Sequence, residues 1–406
     1  MSRLLTQNLN ASGVASCIVV LSEDAAASSA NVQRLEGHFT RSELSQDAAL
    51  SRELGRPAAD TGSGAVQYYE HLGVFYGTVD RGGLAALRSE SAVASVSAAP
   101  QLSLIRPDRI ESAALATSRT WGIDALGVPA LWDEGFTGEG ILVGHLDTGA
   151  DGKHPALKNA IAAFAEFDSF GRKVTPAPKA HDTDDHGTHT AATIAGREVA
   201  GKRVGVAPGA KLASAIVIEG GQVVARVLGG MDWCVGEGVR VLSMSLGFRG
   251  FWEDFLPLTK VLRRRGVLPV FAVGNEGPGT SRSPGNYPEA LSVGAIDQAQ
   301  AVAGFSSSQR FARRRDPIVP DLVAPGVNVI SAKPGGGFQS MDGSSMATPH
   351  IAGLAALLFQ ARPSSTVRAI ERAIVASCSL PAGVDPERAN HGMPNAPKAL
   401  AALRRR

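Results

Sequence analysis

Five apolar runs, each bounded by Gly, Pro or Asp, constrain this chain more than any other feature. They occupy residues 141–146, 212–218, 239–246, 267–273 and 291–296, and helical stretches separate several of them. Continuous apolar strands alternating with helices indicate a mainly parallel sheet covered on both faces, an α/β doubly wound fold. Ligands in such folds collect beyond the carboxyl ends of the strands, so catalytic residues are expected just after the runs. Residues 299–320 lack this pattern and read as loop, with an arginine cluster at 313–315.

The first 110 residues have a different texture, rich in Ala, Ser and Arg. Strands are expected at 14–21, 66–71, 74–79 and 93–97, with a short helix at 84–89 and helix over part of 24–60. The order strand, helix, strand, strand, helix, strand suggests a small ferredoxin-like α+β domain. The expected organisation is a domain at 1–110, a linker at 111–120 and a large domain at 121–406.

With 406 residues, 44% of them hydrophobic, the chain can bury a sizeable core. Forty basic against 38 acidic residues leave almost no net charge, so neither nucleic acid nor an anionic membrane is an expected partner. Three widely spaced cysteines, Cys17, Cys234 and Cys378, form neither a disulfide framework nor a metal motif. Reduced thiols are expected, which leans cytoplasmic. The first 17 residues lack the basic start and apolar stretch of a secretory signal, and no run is long enough to span a membrane. The expectation is a cytoplasmic protein, with secretion left open.

Three motifs fall where such a sheet gathers its chemistry. Leu146-Asp147-Thr148-Gly149 ends the first run. A carboxylate there is costly unless its charge is used, although a loop-capping Asp is the ordinary reading. His186-Gly187-Thr188-His189 opens a helix of small residues. Two histidines three apart could form a metal pair, but no HExxH is present, and Asp182, Asp184 and Asp185 precede the motif. Gly343-Ser344-Ser345-Met346-Ala347-Thr348-Pro349-His350 runs into an apolar helix. Pro349 is expected in its first turn, where a missing N–H is harmless. Ser345 then sits at a helix N-terminus, where N–H groups favour a developing oxyanion. Alone, it reads as an N-cap. The pattern is not a G-x-S-x-G elbow. Together the motifs give the chain order Asp, His, Ser on a parallel sheet, which is the order of subtilisin, so this step matches a known template.

From Trp121-Gly122-Ile123 to Pro394-Asn395-Ala396 the chain resembles the subtilisin-like serine peptidases, the subtilases. The resemblance implies a serine endopeptidase with Asp147, His186 and Ser345 as triad, forming an acyl-enzyme without a cofactor. Ser344 stands where the family usually has Thr. Ala272-Val273-Gly274-Asn275 resembles the strand end that supplies an oxyanion-hole amide, with Asn275 and the Ser345 N–H as donors; otherwise Asn275 is a turn residue before Gly277. Ser245-Leu246-Gly247 resembles the strand that pairs with an extended substrate, walling the primary pocket opposite Ala272, Val273 and Gly274. Loop length places Arg282 near that pocket's floor. Facing inward it would favour an acidic P1 residue; alternatively it points to solvent or pairs with Glu276. Many family members hold calcium in a loop after the His helix. Here that loop is Arg197-Glu198-Val199-Ala200-Gly201-Lys202-Arg203, whose cations oppose a divalent metal, so that site is expected to be absent.

The N-terminal domain is similar to the family's propeptides, and residues 100–107, with Leu102 and Leu104 alternating, would be the tail that blocks the cleft. The alternative is an unrelated interaction domain. The expected partners are a protein or peptide substrate bound as a strand and the chain's own N-terminal domain.

Overall fold

A computed structural model describes residues 3–26, 28–40, 66–99, 102–219 and 223–405. Much of the helix expected over 24–60, and Pro100 and Gln101 of the expected tail, lie outside them. The N-terminal unit is a four-stranded antiparallel sheet of β1 (Ala15–Leu21), β2 (Val66–Tyr69), β3 (Val74–Val79) and β4 (Val93–Ala98), in the order β2-β3-β1-β4. That is the ferredoxin-like order, with helices at Arg3–Ser12, Ser29–Glu36 and Arg81–Ser89.

The alternation of β1 explains why its sequence is apolar throughout. Cys17, Val19 and Leu21 face the unit's own core, and Ile18 and Val20 join the core of the larger unit. Both faces of the small sheet are therefore buried. The outer face packs on the helix Val223–Gly236, where Tyr69 donates its hydroxyl to the Ala225 carbonyl at 3.1 Å. Asp232 accepts from Leu72 N at 2.9 Å and pairs with His71 at 3.0 Å, and Asp254 accepts from Ala98 N at 3.0 Å.

Two further strands continue the chain, β5 (Ser103–Leu104) and β6 (Arg109–Ala113). The large unit is built on seven parallel strands: β7 (Leu142–Asp147), β8 (Ile161–Glu166), β9 (Lys211–Ile216), β10 (Val241–Met244), β12 (Leu268–Ala272), β14 (Leu291–Ile296) and β17 (Leu322–Pro325). Their order is β17-β14-β12-β10-β7-β9-β8, so strand order reverses next to β7. The run at 239–246 is not one strand. The chain leaves the sheet after Met244, and Leu246–Arg249 forms β11, which pairs with β5 and with β13 (Arg282–Ser283). The weakly patterned 299–320 segment carries only the short pair β15 (Gln309–Arg310) and β16 (Ile318–Val319). β18 (Val329–Ala332) and β19 (Phe338–Asp342) form a hairpin whose outer edge is taken by β6.

The helices His186–Ala195 and Ser344–Ala361 pack against each other on one face of the large sheet. The Ser344 helix is apolar all round and buried through Phe359, as a helix on a sheet and under other helices must be. Gly353 sits where it approaches Val206 and the Ile194 carbonyl. A Cβ there would lie 2.7 Å from the Val206 Cβ. Gly353→Ala is therefore expected to overpack this contact and destabilise the fold by roughly 1–3 kcal/mol, read as a lower melting temperature in calorimetry.

Candidate active site

Asp147 is the last residue of β7 and His186 the first of its helix, and both are 1% exposed. The helix start is held by side chains from outside it. Asp184 accepts from His186 N at 3.2 Å, Thr148 from Gly187 N at 3.0 Å, and Asp182 from Thr188 N at 2.5 Å. These serve N–H groups that have no partner within the helix. Gly187 is required because a Cβ would come within 2.1 Å of the Gly149 carbonyl. The result puts His186 Nδ1 2.7 Å from Asp147 Oδ1, which also accepts from Thr148 N at 2.8 Å.

Burial opposes charge on both partners, yet their mutual attraction wins. It holds the Asp147 carboxyl below its ordinary value and the His186 imidazole above its own. His186 Nε2 is buried and has no hydrogen-bond partner among the described residues.

Ser345 occupies the first turn of its helix, after Gly343 at the N-cap. Pro349 is not in that turn, as expected from the sequence, but inside the helix. It is the residue whose N–H would have bonded the Ser345 carbonyl, and that freed carbonyl accepts instead from the Ser245 hydroxyl at 3.2 Å. Ser344, noted in the sequence only as a substitute for Thr, has a specific task. Its N–H and hydroxyl both donate to Asn275 Oδ1, at 2.9 and 2.8 Å, and its oxygen accepts from Gly274 N at 3.3 Å. The Asn275 amide is thereby oriented with Nδ2 toward the cleft.

The cleft is filled by the chain itself. Leu104 and Ser103 pair with Leu246 and Gly247, and Ile105 N donates to the Ser245 carbonyl at 3.1 Å. Ser345 Oγ donates to the Ile105 carbonyl at 2.7 Å, and Asn275 Nδ2 to the next carbonyl, that of Arg106, at 2.9 Å. Beyond Pro107, Asp108 N donates to the Asp342 carbonyl at 2.7 Å, and β6 runs antiparallel along β19. The segment 102–113 is thus a strap with strand pairing on both sides of Ser345. The folded sheet of the N-terminal unit ends at Ala98, and residues 111–113 lie in β6.

Ala272 closes β12, and Val273 and Gly274 follow it, opposite β11. Arg282 is 6% exposed and lines the same cavity as Ile105, about 740 Å³ in volume. Its Nε donates to Glu276 Oε1 at 2.8 Å, and its Nη1 reaches the Gly247 carbonyl at 3.3 Å and Ser103 Oγ at 3.0 Å. It therefore faces inward and pairs with Glu276 together, and does not point to solvent. The guanidinium holds the Glu276 carboxyl below its ordinary value despite burial.

The 197–203 loop places cations on oxygens: Arg197 on the Ala195 and Ala210 carbonyls, Lys202 on that of Ala116, and Arg203 on Glu198. All three cations of the loop are thus engaged with oxygens. Among the described residues no group of three or more His, Cys, Asp and Glu side chains is placed to hold a metal ion, and no helix is long and apolar enough to cross a membrane.

A doubly wound sheet carrying a buried Asp–His pair, a helix-terminal serine and an oriented Asn amide defines the subtilisin-like class. Residues 138–396 match the subtilase family, well over half of the chain. The chain belongs to the subtilase family. The M-protease of Shouchella clausii is 38% identical over 267 residues, 65% of this chain and 66% of that protein. Subtilisin Savinase of Lederbergia lenta is 39% identical over 251 residues, 61% of this chain and 87% of that protein. The major intracellular serine protease of Bacillus subtilis is 35% identical over 246 residues, 58% of this chain and 74% of that protein. The chain thus spans about two thirds of the M-protease's length.

Sequence reasoning missed Asp182, Thr190 and His145 as supports of the site. Asp182 could have been found from its place four residues before the helix; Thr190 and His145 read as core positions and carry no local signal. The raised His186 pKa has a kinetic consequence. Any hydrolysis that uses His186 as its base needs the neutral ring, and so is lost as pH falls through that pKa. The acidic limb of kcat/KM is expected to have its midpoint above 6.5, measured on a peptide substrate.

Proposed function

We propose that the chain is a serine endopeptidase held closed by its own N-terminal segment. The observation that carries the reading is the buried Asp147–His186 pair beside Ser345 and the Asn275 amide. Ser345 Oγ attacks the peptide carbonyl while His186 Nε2 takes its proton. Asp147 holds the imidazole tautomer and stabilises the cation, and Asn275 Nδ2 with the Ser345 N–H receives the oxyanion. His186 then protonates the leaving amine, and water hydrolyses the acyl-enzyme along the same path. No cofactor enters these steps, and the cations of the 197–203 loop support reading it as closed without calcium. Substrate binds as an extended strand beside Ser245, Leu246 and Gly247 in the manner of β5.

Inhibition follows from how the strap is held. A carbonyl poised for attack would lie on both Ser345 Oγ and Asn275 Nδ2. Here those groups hold two successive carbonyls, of Ile105 and Arg106. The Ser345 proton is directed to the Ile105 oxygen, and His186 Nε2 is left unpartnered. The strap therefore blocks the cleft as a poor substrate, and the N-terminal unit keeps it there through contacts such as Asp232 with Leu72 and His71.

Asp232→Ala leaves the Leu72 N–H without its acceptor, at a cost of about 1–3 kcal/mol. The full-length variant is expected to hydrolyse unfolded casein on the order of ten times faster than wild type, and adding Ser345→Ala abolishes it. Equal rates would argue against a docked inhibitor.

The Arg282–Glu276 pair sets the primary pocket. Its charge is internally answered, so the pocket suits a mid-sized aliphatic side chain such as that of Ile105, not an acid. Arg282→Ala deepens the pocket and leaves Glu276 with only the exposed Arg249, at 3.5 Å, as an ion-pair partner, so peptide-library cleavage is expected to shift toward larger and basic P1 residues. An unchanged P1 profile would remove Arg282 from the specificity account.

A further inference from the structure

His145 lies two residues before Asp147 on β7, so both side chains point to the face covered by the His186 helix. It is 1% exposed in the middle of a parallel sheet, where an apolar residue would be the ordinary occupant. Both ring nitrogens are engaged. Nδ1 is 2.9 Å from Ser214 Oγ on β9, and Nε2 is 2.8 Å from Thr190 Oγ1 on the His186 helix. Thr190 Oγ1 lies 3.3 Å from Asp147 Oδ2 and 3.1 Å from the carbonyls of His186 and Gly187.

Donor accounting gives this chain a direction. Ser214 Oγ is buried and bonds to His145 alone among the described residues, so its proton is satisfied only if it donates to Nδ1. The imidazole is then the Nε2–H tautomer and donates to Thr190 Oγ1, which frees the threonine proton for a further acceptor. The candidates are two carbonyls and a carboxylate, and the carboxylate is the strongest acceptor. Oδ1 of Asp147 is served by His186 and Thr148, whereas Oδ2 has no donor within hydrogen-bond distance other than Thr190 among the described residues. Burial lowers the His145 pKa to about 4, so the ring is neutral near pH 7, as the accounting requires.

We propose that His145 is a positioning residue that, through the Thr190 hydroxyl, supplies the hydrogen bond to the second oxygen of Asp147 and so fixes the carboxylate that orients His186. The proposal rests on the reading of Asp147, His186 and Ser345 as a working triad. Ser214, His145 and Thr190 form a relay from the neighbouring strand β9 to the His186 helix, and Asp147 is gripped at both oxygens. Without the relay Oδ2 carries more uncompensated charge. The carboxylate then attracts the His186 proton more strongly and is free to rotate. The ionisable groups facing His186 are Asp147 and His145 on β7, Asp182 and Asp184 in the turn before its helix, and His189 along the helix. Cutting the relay at Thr190 changes the surroundings of Asp147 and leaves every one of these ionisable groups in place, whereas His145→Leu also removes the neutral His145 ring.

The test uses the full chain and four variants: Thr190→Val and His145→Leu cut the relay, Thr190→Ser keeps the hydroxyl, and His145→Gln keeps a donor near the Nε2 position. Two readouts are taken: the pH titration of the downfield His186 Nδ1 proton by NMR on histidine-labelled protein, and kcat and KM for the chain's basal peptide hydrolysis. The cutting variants are expected to raise the titration midpoint and to lower kcat roughly tenfold with KM unchanged, in the range for one hydrogen bond to a charged group. The conservative variants should stay near wild type. The two cuts combined should cost little more than either alone, since they break one path. Thr190 is nearly isosteric with Val, so Thr190→Val decides the matter even where His145→Leu fails to fold. A wild-type titration and kcat in Thr190→Val overturns the proposal, as does equal loss in all four variants. Absence of Ser345-dependent hydrolysis in wild type would instead sink the triad reading, while the NMR titration still reports on the relay.

Discussion

The structure is organised around the burial of a carboxylate. Asp147 ends a central strand with almost no contact with solvent, where an isolated charge costs several kcal/mol even after relaxation. What makes the position tolerable is a set of donors aimed at it from different elements: His186 and Thr148 on one oxygen, Thr190 on the other. Those donors require the His186 helix to approach the end of β7 closely, which in turn requires Gly187 and the acceptors Asp182 and Asp184 at the helix start. The same closeness makes the pair useful. A histidine kept in one tautomer by a buried anion is a base whose pKa is raised by that anion.

The second arrangement is a competition for Ser345. On the proposed reading its hydroxyl would donate to His186 Nε2 in an open cleft; here it donates to the Ile105 carbonyl, and His186 Nε2 has no partner among the described residues. Strand pairing on both sides makes this an intramolecular contact at high effective concentration, so no single contact in it has to be strong. The small sheet's second buried face ties the unit that precedes the strap to the larger one. Ile18, Val20, Leu72 and Val74 share one apolar cluster with the helix Val223–Gly236, so the two units have a common core.

The parallel sheet was legible because its strands are buried on both faces and read as continuous apolar runs. The motifs at Asp147, His186 and Ser345 were legible only together: each is local but ambiguous alone, and their chain order on a parallel sheet matches a known template. The limits have physical causes. The run at 239–246 is apolar past Met244 because Leu246 stays buried after the chain leaves the sheet, so composition alone hides the break. Pro349 reads as a helix start by local preference, but a tertiary donor, Ser245, serves the carbonyl it orphans. The paired role of Arg282 and Glu276 depends on a loop conformation that spacing does not specify. His145 and Thr190 resemble filler between core residues, and only the distances among three elements, β7, β9 and the His186 helix, reveal their link to Asp147.

The central claim is that Ser345 is a nucleophile activated by His186 and masked by residues 102–113. The most direct measurement is the rate at which a fluorophosphonate adds to the full-length protein, followed by intact mass with the adduct mapped by peptide sequencing. The account predicts one adduct, on Ser345. It should form slowly in wild type and faster when the N-terminal unit is loosened, and be absent from Ser345→Ala. An adduct that never forms on Ser345, even with the strap displaced, would contradict it.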